Sequence, residues 1–185
     1  MKKSIVSLLV LCVSLCAFAQ TKQHMKFMGI PMGMSITNFQ NKLAAKGVKY
    51  DSNSKLLSSG TRLFSGVFAG YDAKIFVYYD TSSKKVYRAK VVIDRDEFYQ
   101  INQLFDSFYD MFEEKYGYSA MGSKYIDDAG YNTCIVYADL GKIVLFIRQM
   151  DADYYNHFNS YYVLHIDYFD EAAQNENNSN RLDDL

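Results

Sequence analysis

The chain has 185 residues, 49% of them hydrophobic and 22% charged, with one proline, no tryptophan, 17 tyrosines and 13 phenylalanines. That composition is too apolar for a disordered chain and too poor in proline for a fibrous one, and three cysteines cannot build a disulfide-dense scaffold. The length suits a single domain that buries roughly 70% of its unfolded surface.

Residues 1–19 read as a secretory signal peptide. Lys2 and Lys3 form its charged start, Ile5 to Cys16 its apolar run, and Ala17-Phe18-Ala19 the small-x-small pattern that a signal peptidase cuts after Ala19. The expected location is periplasmic or secreted. Lipid anchoring at Cys16 is disfavoured, because Leu15 stands where a lipoprotein signal places a small residue. No later stretch approaches the ~20 apolar residues of a membrane span. The mature chain keeps one cysteine, Cys134, inside a strand-like run, where it reads as a small buried hydrophobe.

Residues 20–34 read as an extended lead-in punctuated by glycine and proline. A first helix follows, with Ser35 as N-cap, Ile36, Phe39 and Leu43 on one side, and Gly47 as its stop. Polar residues 51–59 make a loop. Thr61 to Ala69, Ala73 to Tyr79 and Val86 to Ile93 then read as antiparallel strands, with Tyr87, Ala89, Val91 and Ile93 aligned on the third.

The second helix has the clearest pattern: Phe98, Ile101, Phe105, Phe108 and Phe112 recur at alternating spacings of three and four. Asp94 or Asp96 is the expected cap, with acidic residues in the first turn, and Gly117 closes the helix. Asn132 to Ala138 and Lys142 to Arg148 form a hairpin, residues 151–160 a polar aromatic loop, and Tyr161 to Phe169 the last strand. The Asn-rich segment 171–185 is expected to be a disordered tail.

The implied fold is α+β. Residues 35–170 form one domain, in which 35–93 and 97–169 are two αβββ units sharing one antiparallel sheet of about six strands, with two helices on one face.

Charge is unevenly spread. Residues 20–95 hold 13 Lys/Arg against 4 Asp/Glu, whereas residues 96–185 hold 5 against 17. The mature balance, 18 basic against 21 acidic residues, disfavours nucleic acid as a partner. Alternation along a strand turns one residue of each adjacent tyrosine pair outward, and exposed tyrosine is good contact material. The candidate binding residues are therefore Tyr78, Tyr87, Tyr154, Tyr155 and Tyr162, with Lys84, Lys85, Arg88 and Lys90 as an electrostatic rim.

No phosphate loop, nucleophile elbow or dinucleotide fingerprint is present, so the reading is a non-enzyme without cofactor. His24 falls in the lead-in and His165 in the last strand. His157 with Asp151 and Asp153 matches neither a compact zinc motif nor a calcium loop, so no metal is expected. Asp94-Arg95-Asp96-Glu97 is explained by helix capping, and Asp127-Asp128 before Gly130 by a turn. The leading function is a binding module for an envelope or secreted protein. The alternatives are a small-ligand carrier or noncanonical envelope hydrolase using the 151–157 loop, or an inhibitor of a secreted enzyme.

Phe27-Met28-Gly29-Ile30-Pro31, then Phe39, Leu43 and Lys46-Gly47, Phe68-Ala69-Gly70-Tyr71, Glu114-Lys115-Tyr116-Gly117, Tyr168-Phe169-Asp170 and Asp183-Asp184-Leu185 together resemble the small uncharacterised secreted proteins of Bacteroides-type bacteria. That resemblance implies an exported α+β domain and transfers no active-site residue. At the level of fold, the repeated αβββ plan is similar to β-lactamase-inhibitor proteins and to the small lipoprotein of the outer-membrane barrel-assembly machinery, both of which act by binding proteins.

Overall fold

The computed structural model describes residues 23–138, 140–151 and 160–183. It is an α+β fold built on one antiparallel sheet. The expected lead-in is instead a hairpin, in which β1 (Lys26–Phe27) pairs with β2 (Ile30–Pro31). Met28 and Gly29 both take positive φ, as a tight two-residue turn requires. The hairpin forms because its apolar residues have a core to enter: Met25, Phe27, Ile30 and Met32 are all buried.

Helix α1 (Ile36–Ala44) starts at Ser35, whose hydroxyl accepts the Asn38 N–H, and it buries Ile36, Phe39 and Leu43. The strands are β3 (Lys49–Tyr50), β4 (Thr61–Phe68), β5 (Tyr71–Tyr79), β6 (Val86–Arg95), β7 (Tyr125–Ile126), β8 (Asn132–Ala138), β9 (Gly141–Asp151) and β10 (Ser160–Asp170), with α2 (Phe98–Tyr116) between β6 and β7. The sheet order is β3-β4-β5-β6-β10-β9-β8-β7. The sheet thus has eight strands where about six were expected. The two additional ones, β3 and β7, are two-residue edge strands too short to carry a period.

The register sets alternate residues of each strand, together with their cross-strand partners, on the helix side. Phe64, Ile75, Val91, Ile166, Leu145 and Cys134 lie across the six long strands in line and are all buried. Both α1 and α2 close over this face, α2 with Ile101, Leu104, Phe105, Phe108 and Phe112. Aromatic rings tie the layers together. Phe27 stacks on Phe68 at 5.7 Å and meets the edge of Tyr168 at 5.2 Å, and Phe68 stacks on Phe108 at 5.9 Å.

Three local expectations are corrected. Helix α2 is entered from Glu97 with no side-chain cap and no acidic residue in its first turn, because β6 runs on to Arg95 and takes Asp94 into the strand. A register shift at Tyr78/Tyr79 pairs Tyr79 with Val86 and Tyr78 with Arg88, so Val86 takes the core position and Tyr87 leaves the Ala89, Val91, Ile93 line. The expected disordered tail is helical, as α3 (Glu171–Asp183). Its start is fixed by the Asp170 carboxylate, which accepts the Ala173 N–H at 2.9 Å, and by Ala173, which is buried.

Candidate functional site

The opposite face of the sheet carries neither α1 nor α2. Read across strands β4, β5, β6, β10, β9 and β8, one row is Ser65, Lys74, Val92, His165, Phe146 and Thr133. The next is Leu63, Phe76, Lys90, Asp167, Val144 and Ile135, and the third is Thr61, Tyr78, Arg88, Phe169, Lys142 and Tyr137. Rings and aliphatic groups dominate, yet most of these side chains stay partly accessible, and Tyr137 is 60% exposed. A sheet face this apolar is ordinarily covered.

Cations lie over its rings. The Arg88 guanidinium sits 4.6 Å from the Tyr78 centroid and 4.7 Å from that of Phe169, Lys90 Nζ is 5.2 Å from Phe76, Lys142 Nζ is 5.7 Å from Phe169, and Arg148 is 4.9 Å from Phe146. Asp167, 2% exposed, is the carboxylate at the centre of the three rows. Arg88 engages it with both prongs of its fork, Nε donating to Oδ1 at 2.8 Å and the second nitrogen to Oδ2. That pairing raises the Arg88 pKa. Lys90 and Lys142 make no ion pair among the described residues, and burial lowers the Lys90 pKa.

His165 stacks on Phe146, with centroids 4.6 Å apart and ring planes 14° from parallel. Its Nδ1 is buried without a hydrogen-bond partner. Burial, then the neighbouring Lys90 and Arg148 charges, push its pKa down to about 4. The imidazole is therefore neutral at pH 7 and serves the face as a flat ring.

Of the nine residues expected from sequence, Tyr78, Arg88 and Lys90 come together here. Lys84, Lys85 and Tyr87 lie at the end of the sheet: the Lys84 carbonyl accepts the Ile36 N–H, Lys85 Nζ pairs with Glu176 at 2.9 Å, and Tyr87 lines a shallow groove against α3. Tyr162 turns to the helix side, against Phe98 at 5.2 Å and Tyr131 at 6.3 Å. Tyr154 and Tyr155, with Asp153 and His157 of the alternative site, lie outside the described residues. Sequence reading passed over Phe76, Val144, Phe146 and Phe169. Their signal is local: Phe76 interrupts the charged outward parity of β5 after Asp72 and Lys74, and Val144 and Phe146 lie between Lys142 and Arg148 on the outward parity of β9.

Two other candidates have structural places. Cys134 is a free, fully buried thiol whose Sγ lies 3.4 Å from the Gly122 carbonyl oxygen, and burial pushes its pKa up. Asp127 closes its turn by accepting the Ala129 and Tyr131 N–H groups and an Arg148 N–H. Among the described residues, no three His, Cys, Asp or Glu side chains converge to hold a metal ion, and no helix is long and apolar enough to cross a membrane. No family model matches the chain, and no curated protein or solved structure matches it.

Proposed function

We propose that this protein is an exported, non-catalytic binding module of the periplasm or cell envelope, and that the ring-and-cation face of its sheet docks an acidic segment of a partner protein. The observation that carries the reading is the pairing of partly accessible rings with cations that make no ion pair among the described residues: Phe76 with Lys90, and Phe169 with Lys142. Rings supply area and shape. Lys90 and Lys142 supply charge that a carboxylate-bearing partner would satisfy. Export rests on residues 1–19, which have the order of a signal peptide.

The strand order supports a second, architectural part of the proposal: residues 35–93 and 97–169 are two copies of one helix-and-strands unit. Each half runs from a helix through a meander of antiparallel strands to the strand at the sheet's centre, where β6 and β10 pair.

The test is site-specific photocrosslinking in the source cell's envelope. A photoreactive phenylalanine analogue at position 76 or 146 is expected to trap one partner, while the same analogue at Tyr118, 79% exposed and beyond the end of α2, traps none. The adduct should fade in high salt and in the Lys90→Glu, Lys142→Glu double variant. Adducts from position 118 alone, or from none of the three, would overturn the reading.

A further inference from the structure

A second concave place in the molecule meets the sheet face only at Tyr137. The β1–β2 hairpin, the C-terminal end of α2 and the β8–β9 turn enclose an open cleft of about 790 Å³, lined by His24, Lys26, Pro31, Lys115, Tyr116 and Tyr137 among others. That volume lies within the range of small-molecule sites. Three of these six side chains carry or accept positive charge, and no Asp or Glu belongs to the described lining. The contrast with the surroundings is sharp: residues 96–185 supply Lys115 as one of only five basic residues against 17 acidic ones.

His24 is held there from two sides. Its Nδ1 lies 3.1 Å from Oδ2 of Asp170, a carboxylate with no exposed side-chain surface. Asp170 is itself pinned by the Met25 N–H at 3.0 Å and the Ala173 N–H at 2.9 Å. The imidazole also lies against Gly33, where an added Cβ would come within 2.4 Å of the ring. A carboxylate behind Nδ1 fixes the orientation of the ring through the Nδ1–H, and Nε2, at the end of the ring beside Gly33, donates to an anion only when the imidazole carries both protons. Such preorganisation exceeds what is needed to anchor an N-terminal strand whose Phe27 is already fully buried.

We propose that this cleft binds a small aromatic carboxylate. Lys26 and Lys115 take the carboxylate, joined by the His24 Nε2–H of the doubly protonated ring, and Tyr116, Tyr137 and Pro31 take the flat apolar body. A bare inorganic anion would leave the ring-lined part of the cleft unfilled, and a neutral aromatic would leave the cations unmatched.

Benzoate is the probe, titrated to about 10 mM against the purified protein, a range that registers even a millimolar site. The readout is the ring and Met25 amide NMR signals. The chain has three histidines, so single substitutions of the other two assign the His24 ring. Saturable shifts of the His24 ring are expected with benzoate, with none from benzyl alcohol and weaker ones from phosphate. Lys26→Met with Lys115→Met, which leave the His24–Asp170 contact intact, should weaken benzoate at least about tenfold. His24→Gln should abolish binding, with the Met25 amide reporting whether the fold is retained. Absence of saturation with benzoate, equal response to benzyl alcohol, tighter binding of phosphate, or unchanged affinity in the lysine variant would each overturn the proposal. A failed photocrosslink at the sheet face would leave it standing.

Discussion

The neutral imidazole of His165 makes a stability prediction that separates it from every carboxylate in the chain. Folded, its pKa is about 4; unfolded, it returns to the ordinary histidine value of 6.5. Between those values the unfolded chain binds a proton that the folded one refuses, so stability is fully present above pH 6.5 and drains away as pH falls toward 4. Two and a half units amount to about 3 kcal/mol at most. Because the ring is partly accessible, water lowers the figure to about 2 kcal/mol. The carboxylates held below their usual range act elsewhere. Asp51 is brought down to about 2, first by its hydrogen bond from Lys74, and the Asp127 pKa is lowered chiefly by the Tyr131 N–H. Their contributions are lost only below about pH 4. Urea unfolding at several values between about pH 7 and about pH 4.5 should show the decline in the parent and a much flatter profile in His165→Gln and His165→Phe. The ring signals of His165 should titrate near pH 4. An unchanged slope in both variants, or a His165 midpoint near 6.5, would refute the reasoning.

Removing the Phe27 ring by Phe27→Ala should cost about 3–5 kcal/mol, since the ring is fully buried against Phe68 and Tyr168. In a chain of this size that lowers Tm by roughly 6–20 °C. Tyr118→Ala, at a side chain 79% exposed, should stay within about 0.5 kcal/mol; a Phe27→Ala loss below about 1 kcal/mol would show that the hairpin is not part of the core. Gly141→Ala places a Cβ 1.9 Å from the Phe169 carbonyl oxygen, where β9 must part from β10 or bend. The expected cost is about 3 kcal/mol in chemical denaturation, and a neutral result would contradict the register.

Helix α2 was legible because its stripe has a single cause: one side of a long helix faces the core, and its buried phenylalanines recur accordingly. The long strands were legible for the same reason, with ends displaced by a few residues. What escaped was set by contacts remote in sequence. The Asp170 carboxylate joins α3 to Met25 across 145 residues, so an Asn-rich segment that reads as disordered acquires a capped and anchored start. That contact also fixes His24, which the sequence places in an unstructured lead. The strands β1, β2, β3 and β7 have two residues each and exist through their neighbours alone. In the candidate surface, the tyrosine pairs pointed to Tyr78, which lies on this face beside Arg88. The more telling feature, apolar residues set among charges on the outward parity (Phe76 in β5, Val144 and Phe146 in β9), was masked by reading each strand for its core parity alone.

On the proposed function, the cations of this face would also oppose pairing of the molecule with itself. A sheet surface of Phe76, Val92, Val144, Ile135, Phe146 and Phe169 without charge would favour stacking on a second copy. With Lys90, Arg88, Lys142 and Arg148 set over its rings, two such faces brought together oppose like charges, and Asp167 offers no relief because Arg88 already occupies both of its oxygens. The same cations give a carboxylate-bearing partner something to neutralise as it covers the rings. On the proposed function, repulsion of copies and attraction of an acidic partner would be two consequences of one arrangement, with specificity arising from the charges and contact area from the rings.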